Sequence, residues 1–246
     1  MDTWQKIIKL GTVDSTNTYT WKKLKETHFP EGTIFSAMQQ TAGRGNGSNQ
    51  WESEKGKNIL LSLILYPTYI AIENQFLISK AISLGIANYA QSKTDGIKIK
   101  WPNDIYYKDR KIAGILIENT IKGAKINASV VGIGFNINQE NFSNKAPNPV
   151  SLKQITGKNY SPDQEIIKLR NNIRFFYDLL KAGKLDEINH NYLKCLYRFN
   201  EFAMYKSQNI KFKAKITGIS DFGHLQLTTE NGEQKQFDFK EVEFIL

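Results

Sequence analysis

Apolar positions along the chain follow strand-like and helix-like periods in turn. A run rich in leucine and isoleucine at residues 58–66 predicts a buried strand. Apolar side chains then recur at helical spacing through residues 71–92, which contain no proline, so we predict a long amphipathic helix there. Further strand-like runs lie at residues 33–40, 96–101, 111–119 and 125–138. The order of these elements favours a mixed sheet covered by helices.

Helix-start signals occur at two further places. Residues 14–17 (Asp-Ser-Thr-Asn) offer capping side chains before a segment predicted to be helical to about residue 26. Ser161 and Pro162 combine a capping residue with proline at the first helical position. We therefore predict a helix from there to about residue 180, followed by another at residues 185–196.

The C-terminal part of the chain has a different pattern. Residues 208–246 alternate in short strand-like pieces, and Asn231-Gly232 is a strong hairpin signal. We predict a small β-barrel domain here, with the boundary near residues 199–207 resting only on the change from helical to strand pattern. The predicted fold class is α+β, with one domain at residues 1–200 and a second at 201–246.

Composition and charge limit the kinds of protein that are possible. The hydrophobic content of 40% is that of an ordinary folded protein, and the net charge of +9 attracts nucleic acid, nucleoside triphosphates or an acidic protein surface. Cys195 is the only cysteine, which excludes an intramolecular disulfide and a multi-cysteine metal site. No export signal or membrane-spanning run is visible, so we expect a cytoplasmic protein.

A glycine-rich stretch at residues 42–48 includes Arg44 and is followed by Trp51. Glycines let backbone N–H groups approach an anion, arginine neutralises a phosphate or carboxylate, and tryptophan can stack on a base. The composition suits a nucleotide, although a flexible surface loop with a solvated arginine would have the same pattern. Neither the P-loop nor the dinucleotide-binding fingerprint is present.

Residues 100–104 (Lys-Trp-Pro-Asn-Asp) place a lysine, an amide and a carboxylate at the end of a strand, where proline imposes a turn. This cluster could hold magnesium and triphosphate. Alternatively, Asn103 and Asp104 only form the turn while Trp101 fills the core.

Two later segments offer further candidates. Lys111 opens a strand, where it is either a solvated edge residue or a cation that offsets the charge of a reacting carboxylate. Gly132 and Gly134 are expected to share one face of a strand with Asn136. Glycines on one face mark the close approach of a ligand or of another backbone, although a tightly packed sheet would have the same pattern.

Taken together, residues 14–17, 40–51, 100–104 with Lys111, and 132–136 resemble in order and spacing the signature motifs of biotin–protein ligases. The most specific part is the Lys-Trp-Pro-Asn-Asp block followed by Arg-Lys-Ile-Ala-Gly-Ile-Leu. The resemblance spans most of residues 1–140. It implies a catalytic domain related to class II aminoacyl-tRNA synthetases and a C-terminal SH3-like barrel.

The resemblance also implies roles for individual residues, with Lys111 and Arg44 as the catalytic cations and Asp104 as a magnesium ligand. It implies that the biotin-binding residues are Ser15, Thr16, Asn17, Gln40, Gly43, Arg44, Lys111 and Gly114. It implies that the residues binding ATP and the adenylate are Gly45, Asn46, Trp51, Asn103, Asp104, Lys111, Gly132, Gly134 and Asn136. Within these sets, Trp51 should stack on adenine and Asn136 should hydrogen-bond it.

The implied reaction has two steps and uses biotin, ATP and Mg²⁺. The biotin carboxylate attacks the α-phosphorus of ATP, and a lysine of a biotin carboxyl carrier protein or domain of a carboxylase then attacks the resulting mixed anhydride. No protein nucleophile is needed. The nearest alternative is a lipoate–protein ligase, and an alternative of another class is a basic nucleic-acid-binding module.

Departures from the family pattern lead to further expectations. Asn46 and Asn49 occupy loop positions where many members carry arginine, so we expect weaker retention of the adenylate. Residues 239–246 contain no arginine, whereas some relatives supply a nucleotide-contacting arginine there. The catalytic pattern begins almost at Met1, so no DNA binding or repression is expected. Homodimerisation is possible, and no membrane association is expected.

Overall fold

The computed structural model describes residues 3–47, 49–143 and 148–245. In chain order its elements are β1 (Ile7–Val13), α1 (Thr16–Glu26), β2 (Ile34–Gln40), β3 (Ile59–Leu65), α2 (Phe76–Gln91), β4 (Ile97–Lys100), β5 (Asp104–Tyr107), β6 (Arg110–Lys122), β7 (Lys125–Phe135), α3 (Leu152–Thr156), α4 (Pro162–Lys181), α5 (Leu185–Cys195), β8 (Phe202–Ser207), β9 (Ile210–Ile219), β10 (Leu225–Thr229), β11 (Gln234–Phe237) and β12 (Glu243–Phe244). Short 3-10 turns occupy Thr3–Gln5 and Ile72–Asn74. Ser48 of the predicted glycine-rich stretch and Leu246 lie outside the described residues.

The larger sheet has seven strands in the order β1-β2-β3-β7-β6-β5-β4. β1 and β2 run parallel, and each other neighbouring pair runs antiparallel. β3 is buried at every residue because helices cover both faces of the sheet here. Most of the core lies between the sheet and α2, α4 and α5, while α1 packs on the opposite face, where Phe35 and Ile64 form a second cluster.

Gly85 sets the close packing of α2 on α4. A Cβ atom built on Gly85 would lie 2.5 Å from the Cα of Ile173 and 3.0 Å from the carbonyl oxygen of Asn172. These are backbone atoms that no side-chain rotation can move, so only glycine allows this helix–helix distance.

Glu165 ties the start of α4 to α2 although only 3% of it is exposed. Its carboxylate lies 2.7 Å from Lys93 and 2.8 Å from Lys168, and it accepts a 2.7 Å hydrogen bond from the Tyr89 hydroxyl. Burial acts to raise the pKa of Glu165, but the hydrogen bonds from Lys168, Lys93 and Tyr89 outweigh it and lower the pKa.

The C-terminal strands form a separate antiparallel sheet in the order β11-β10-β9-β8-β12. Its inner residues join the main core, and Trp101 donates a 2.8 Å hydrogen bond from Nε1 to the carbonyl of Gly223. The predicted hairpin at Asn231-Gly232 joins β10 to β11, with Gly232 at φ 86°. Among the described residues, no helix is both long and apolar enough to cross a lipid bilayer.

Local details differ from the sequence predictions in physically interpretable ways. Ser15 and Ser161 occupy N-cap positions, but their side chains make no capping hydrogen bond. A complete capping box instead occurs unpredicted at Ser151 and Gln154. The helix predicted at residues 71–92 begins as a 3-10 turn. The strand predicted at 125–138 ends at Phe135; the N–H of Asn136 still donates to Ile112 of β6, but that of Asn138 donates to Lys57, outside the sheet.

Candidate active site

An open cleft lies on the larger sheet where the start of α1, the glycine-rich loop and the β5–β6–β7 region meet. It encloses about 650 Å³ including its mouth, a size typical of small-molecule sites. The predicted site residues that line it are Ser15, Thr16, Asn17, Gln40, Arg44, Gly45, Asn46, Trp51, Asn103, Asp104, Lys111, Gly114, Gly132 and Gly134. All four sequence blocks therefore contribute to one cleft.

The indole of Trp51 packs on a pair of glycines in the floor of this cleft. Gly114 and Gly134 face each other across β6 and β7. A Cβ atom on Gly134 would lie 2.6 Å from Cδ2 of Trp51, and one on Gly114 would lie 2.9 Å from its Cζ3. The group that approaches the glycine face is thus a side chain of the protein itself, whereas the sequence led us to expect a ligand or another backbone. The Trp51 Nε1 atom is buried without a hydrogen-bond partner.

Asn17 fills the corresponding space over Gly132. A Cβ atom on Gly132 would lie 2.6 Å from the Oδ1 atom of Asn17. Asn17 is 2% exposed, accepts a 2.6 Å hydrogen bond from Ser62 and donates from Nδ2 to Glu118 at 2.9 Å. Its amide is therefore held by the protein at the wall of the cleft.

Gln40 and Thr16 are oriented by each other. The backbone N–H and the hydroxyl of Thr16 both donate to Oε1 of Gln40, at 2.8 and 3.0 Å. This pairing fixes the carbonyl end of the Gln40 amide and so directs its Nε2 end. The predicted biotin-contacting side chains are therefore preorganised.

Two cations project into the cleft, each beside a carboxylate. The Nζ atom of Lys111 lies 2.7 Å from Asp104 and 5.6 Å from the centre of the Trp51 ring. Arg44 lies 2.7 Å from Glu118 through Nη2. Lys111 is placed by its position at the start of β6, where its backbone N–H donates to Asn148 at 2.7 Å.

The side-chain amide of Asn103 holds the backbone of a neighbouring strand. This agrees with the alternative interpretation of residues 100–104, in which Asn103 forms the turn. Its Nδ2 donates to the carbonyl of Ile115 at 2.7 Å, and the backbone N–H of Ile115 donates back to Asn103. Trp101 is 3% exposed and packs in the core. Only Asp104 of this block presents a charged group to the cleft.

Lys100 does not reach the cleft, in contrast to the idea that it helps to hold triphosphate. Its Nζ atom lies 5.0 Å from the ring centre of Tyr106 and 4.8 Å from that of Phe244. Burial lowers the pKa of Lys100; the charges of Lys111 and Arg198 lower it further, and that of Asp104 opposes them.

Gly43 and Asn136 also lie outside the lining. A Cβ atom on Gly43 would overlap the carbonyl oxygen of Trp51, and the Gly43 carbonyl accepts from the Trp51 N–H at 2.9 Å. Asn136 follows the end of β7, and its backbone N–H donates to the carbonyl of Ile112 on β6 at 2.9 Å. Asn136 is 3% exposed and donates to Val150 from Nδ2 at 3.2 Å, while its Oδ1 is buried without a hydrogen-bond partner.

Sequence reasoning missed two charged residues near the loop. Glu118 is an acidic residue directly after an apolar strand segment. An acidic residue at such a position is unusual, and this could have identified it as a candidate from the sequence. Lys240, from the loop before β12, lies so close to Gly47 that a Cβ atom there would be 2.9 Å from the lysine Cε. The C-terminal segment therefore does place a cation beside the glycine-rich loop, although it contains no arginine.

The cleft is better suited to a metal ion that binds together with a nucleotide than to one held by protein side chains alone. Among residues 3–47, 49–143 and 148–245, no group of three or more His, Cys, Asp or Glu side chains could hold a metal ion. Magnesium bound with ATP commonly takes one or two carboxylates and completes its shell with phosphate and water. Asp104 fits that donor set.

Comparison with known proteins agrees with the site. Residues 10–136 match the family model described as "Biotin/lipoate A/B protein ligase family". This chain belongs to that family. Among its relatives, the "Bifunctional ligase/repressor BirA" of Bacillus spizizenii is 31% identical over 94% of this chain and 72% of the relative. The "Biotin--[acetyl-CoA-carboxylase] ligase" of Paracoccus denitrificans is 28% identical over 92% of this chain and 95% of the relative.

A solved member of the family has the same architecture over nearly the whole chain. The biotin protein ligase from Aquifex aeolicus in complex with biotin and ATP matches with a TM-score of 0.79 and 27% identity, covering 97% of this chain and 98% of that chain. The predicted fold class, a mixed α+β sheet with a small C-terminal β domain, is confirmed.

Proposed function

We infer that this chain is a biotin–protein ligase. It activates biotin with ATP to biotinyl-5'-AMP and releases pyrophosphate. It then transfers biotin to a lysine of the biotin carrier domain of a carboxylase, and AMP leaves. The observation that carries this conclusion is the convergence of all four sequence blocks on one cleft, in a chain that matches a ligase bound to biotin and ATP over 97% of its length.

Lys111 is proposed to act where negative charge accumulates. In the first step the biotin carboxylate attacks the α-phosphorus, and charge develops on the phosphoryl oxygens and on the departing pyrophosphate. A fixed ammonium in a partly buried position stabilises such charge more in the transition state than in the ground state. The 2.7 Å contact with Asp104 keeps the Lys111 ammonium directed into the cleft.

Arg44 is proposed to bind the phosphate of the adenylate from the loop side. Its guanidinium uses Nη2 for Glu118, which leaves the Nε and Nη1 donors for an anion in the cleft. Lys111 and Arg44 would then contact the reacting group from different elements. Because both steps are direct attacks on phosphorus or on an acyl carbon, positioning and charge neutralisation suffice without a protein nucleophile.

Trp51 and Asn136 are proposed to receive adenine. Trp51 is partly exposed, and the unpartnered Oδ1 of Asn136 is an acceptor suited to the exocyclic amine of the base. Asp104 would hold Mg²⁺ together with the phosphates, and the metal would add positive charge at the departing pyrophosphate.

The narrower points about partners and location are also proposals. We propose that the chain does not bind DNA, that its excess positive charge favours ATP and an acidic acceptor, that it can form a homodimer, and that it acts in the cytoplasm. Retention on a biotin-free DNA column at physiological salt would contradict the first of these.

The function is tested by biotin-dependent exchange of labelled pyrophosphate into ATP, with lipoate and octanoate as parallel acids. Lys111→Ala should lower exchange by about 100-fold or more, as expected for the loss of a transition-state donor. Lys98→Ala is the matched control, because Lys98 is an exposed strand lysine of the same sheet. Exchange with lipoate alone would make the protein a lipoate ligase, and no exchange with any acid would refute ligase activity.

A further inference from the structure

Two hydrogen bonds and an ion pair connect the buried centre of the larger sheet to the arginine of the glycine-rich loop. It starts at Ser62, the single polar residue of β3, which is 0% exposed. The Ser62 hydroxyl donates to Oδ1 of Asn17 at 2.6 Å, and Nδ2 of Asn17 donates to Oε2 of Glu118 at 2.9 Å. The other carboxylate oxygen of Glu118 lies 2.7 Å from Nη2 of Arg44.

Sheet register explains why these side chains meet. Ser62, Gly132 and Leu116 are neighbours across β3, β7 and β6. Asn17 lies over Gly132, so it can accept from Ser62 on one side and donate to the Leu116 carbonyl at 3.3 Å on the other. Since both ends of the Asn17 amide are used, its orientation is fixed, and the donor that faces Glu118 is always Nδ2.

Glu118 is held at both oxygens and is therefore a rigid acceptor for the loop. One oxygen is bound to Asn17, so the second points at a defined place above the cleft. The side chain of Arg44 is 49% exposed and the side chain of Glu118 is 24% exposed, so the Arg44 side chain would otherwise be free to sample solvent. The loop backbone is closed by the 2.8 Å hydrogen bond from Gly45 to Asn49.

We propose that Glu118 is a positioning residue for Arg44, and that it determines how tightly the adenylate is retained. This inference rests on the proposed function. Arg44 meets Glu118 through Nη2, so it can keep this contact while its remaining donors bind the phosphate of the intermediate. Glu118 thereby reduces the conformational entropy that the arginine loses when the adenylate forms.

The test measures the rate at which biotinyl-adenylate dissociates from the full-length protein, in wild type, Glu118→Gln, Arg44→Ala and the double variant. Glu118→Gln keeps the shape and removes the charge, and it should raise the dissociation rate by about two- to fivefold, the range for a partly exposed ion pair. In the Arg44→Ala background the same change should have no further effect if Glu118 acts on the adenylate through Arg44; a further effect there would show that Glu118 acts through Asn17 instead and would overturn the proposal.

A merely structural role of Glu118 would give a different result. Additive effects of the two substitutions, or an unchanged rate in Glu118→Gln, would overturn the proposal. Glu230→Gln is the matched control, since Glu230 forms a 2.8 Å ion pair with Lys213 in the C-terminal sheet and should leave the rate unchanged. Failure of the proposed function is distinguishable, because wild type would then form no adenylate.

Discussion

Replacing Gly134 by alanine would test whether the indole packed on the glycine face belongs to the nucleotide site. The new Cβ atom would lie 2.6 Å from Cδ2 of Trp51, against an optimal carbon–carbon separation of roughly 3.5–4.0 Å. β7 is hydrogen-bonded to β3 and β6 on its two sides, so its backbone cannot retreat. Cε2 of the same ring lies nearer still, so the ring of Trp51 must move away from the sheet by roughly 1–2 Å.

The expected effect follows from the value of base stacking. An aromatic ring stacked on a base contributes about 1–3 kcal/mol, which corresponds to roughly 5- to 150-fold in affinity. Because the Trp51 ring is displaced but still present, we expect the lower part of that range, a rise in the KM for ATP of roughly 5- to 20-fold. The KM for biotin should change much less, since the Gln40–Thr16 pairing is untouched.

The assay is pyrophosphate exchange with ATP and biotin varied separately, alongside a thermal melt to confirm that the variant is folded. Gly11→Ala is the matched control, because Gly11 is also a strand glycine but a Cβ atom there meets nothing within 4 Å. An unchanged KM for ATP in a folded Gly134→Ala protein would refute the reasoning. A rise confined to the KM for biotin would indicate that the Trp51 indole contacts biotin and not ATP.

Three further predictions concern stability and retention of the intermediate. Gly85→Ala should lower the Tm by several degrees, because overpacking against the Ile173 backbone costs about 1–3 kcal/mol and exceeds the gain in helix propensity of about 1 kcal/mol; a higher Tm would contradict this. Glu165→Gln should lower the Tm at pH 7. Since the folded-state pKa of Glu165 is lowered, this loss should begin to shrink as the pH falls below the unfolded-state value of about 4, and a difference that stays constant or grows on acidification would contradict it. Asn46→Arg should slow adenylate dissociation by adding a cation to the cleft wall, and equal rates would disprove it.

Local sequence was sufficient to locate most of the secondary structure. The strand predicted at residues 58–66 is β3 at Ile59–Leu65, and the helix predicted to start at Pro162 is α4. In both cases the spacing of the apolar residues and the identity of the residues at the ends predict the element. They can do so because helix hydrogen bonds and strand alternation both depend on residues that are close together in the sequence. β5 was not predicted, because a strand of four residues between two turns is too short to show a recognisable alternation.

The motif blocks were also identified from sequence alone, through their order and their resemblance to one family. Their spatial convergence was an expectation, and the structure brings most of the named residues to one cleft. Lys100 and Asp104 pair across β4 and β5, yet the Lys100 ammonium packs over the Phe244 ring while the Asp104 carboxylate lies beside Lys111 in the cleft.

The sequence by itself determined most of the elements, the charge and the family of this protein, because each of these depends on residue identities and on short-range spacing. Only the tertiary structure decided that Trp51 lies on Gly134, that Asn17 fills the space over Gly132, and that Glu118 holds Arg44. These contacts join residues from distant parts of the chain. They depend on strand register and on which face each side chain takes, and a shift of one residue in register would reverse them.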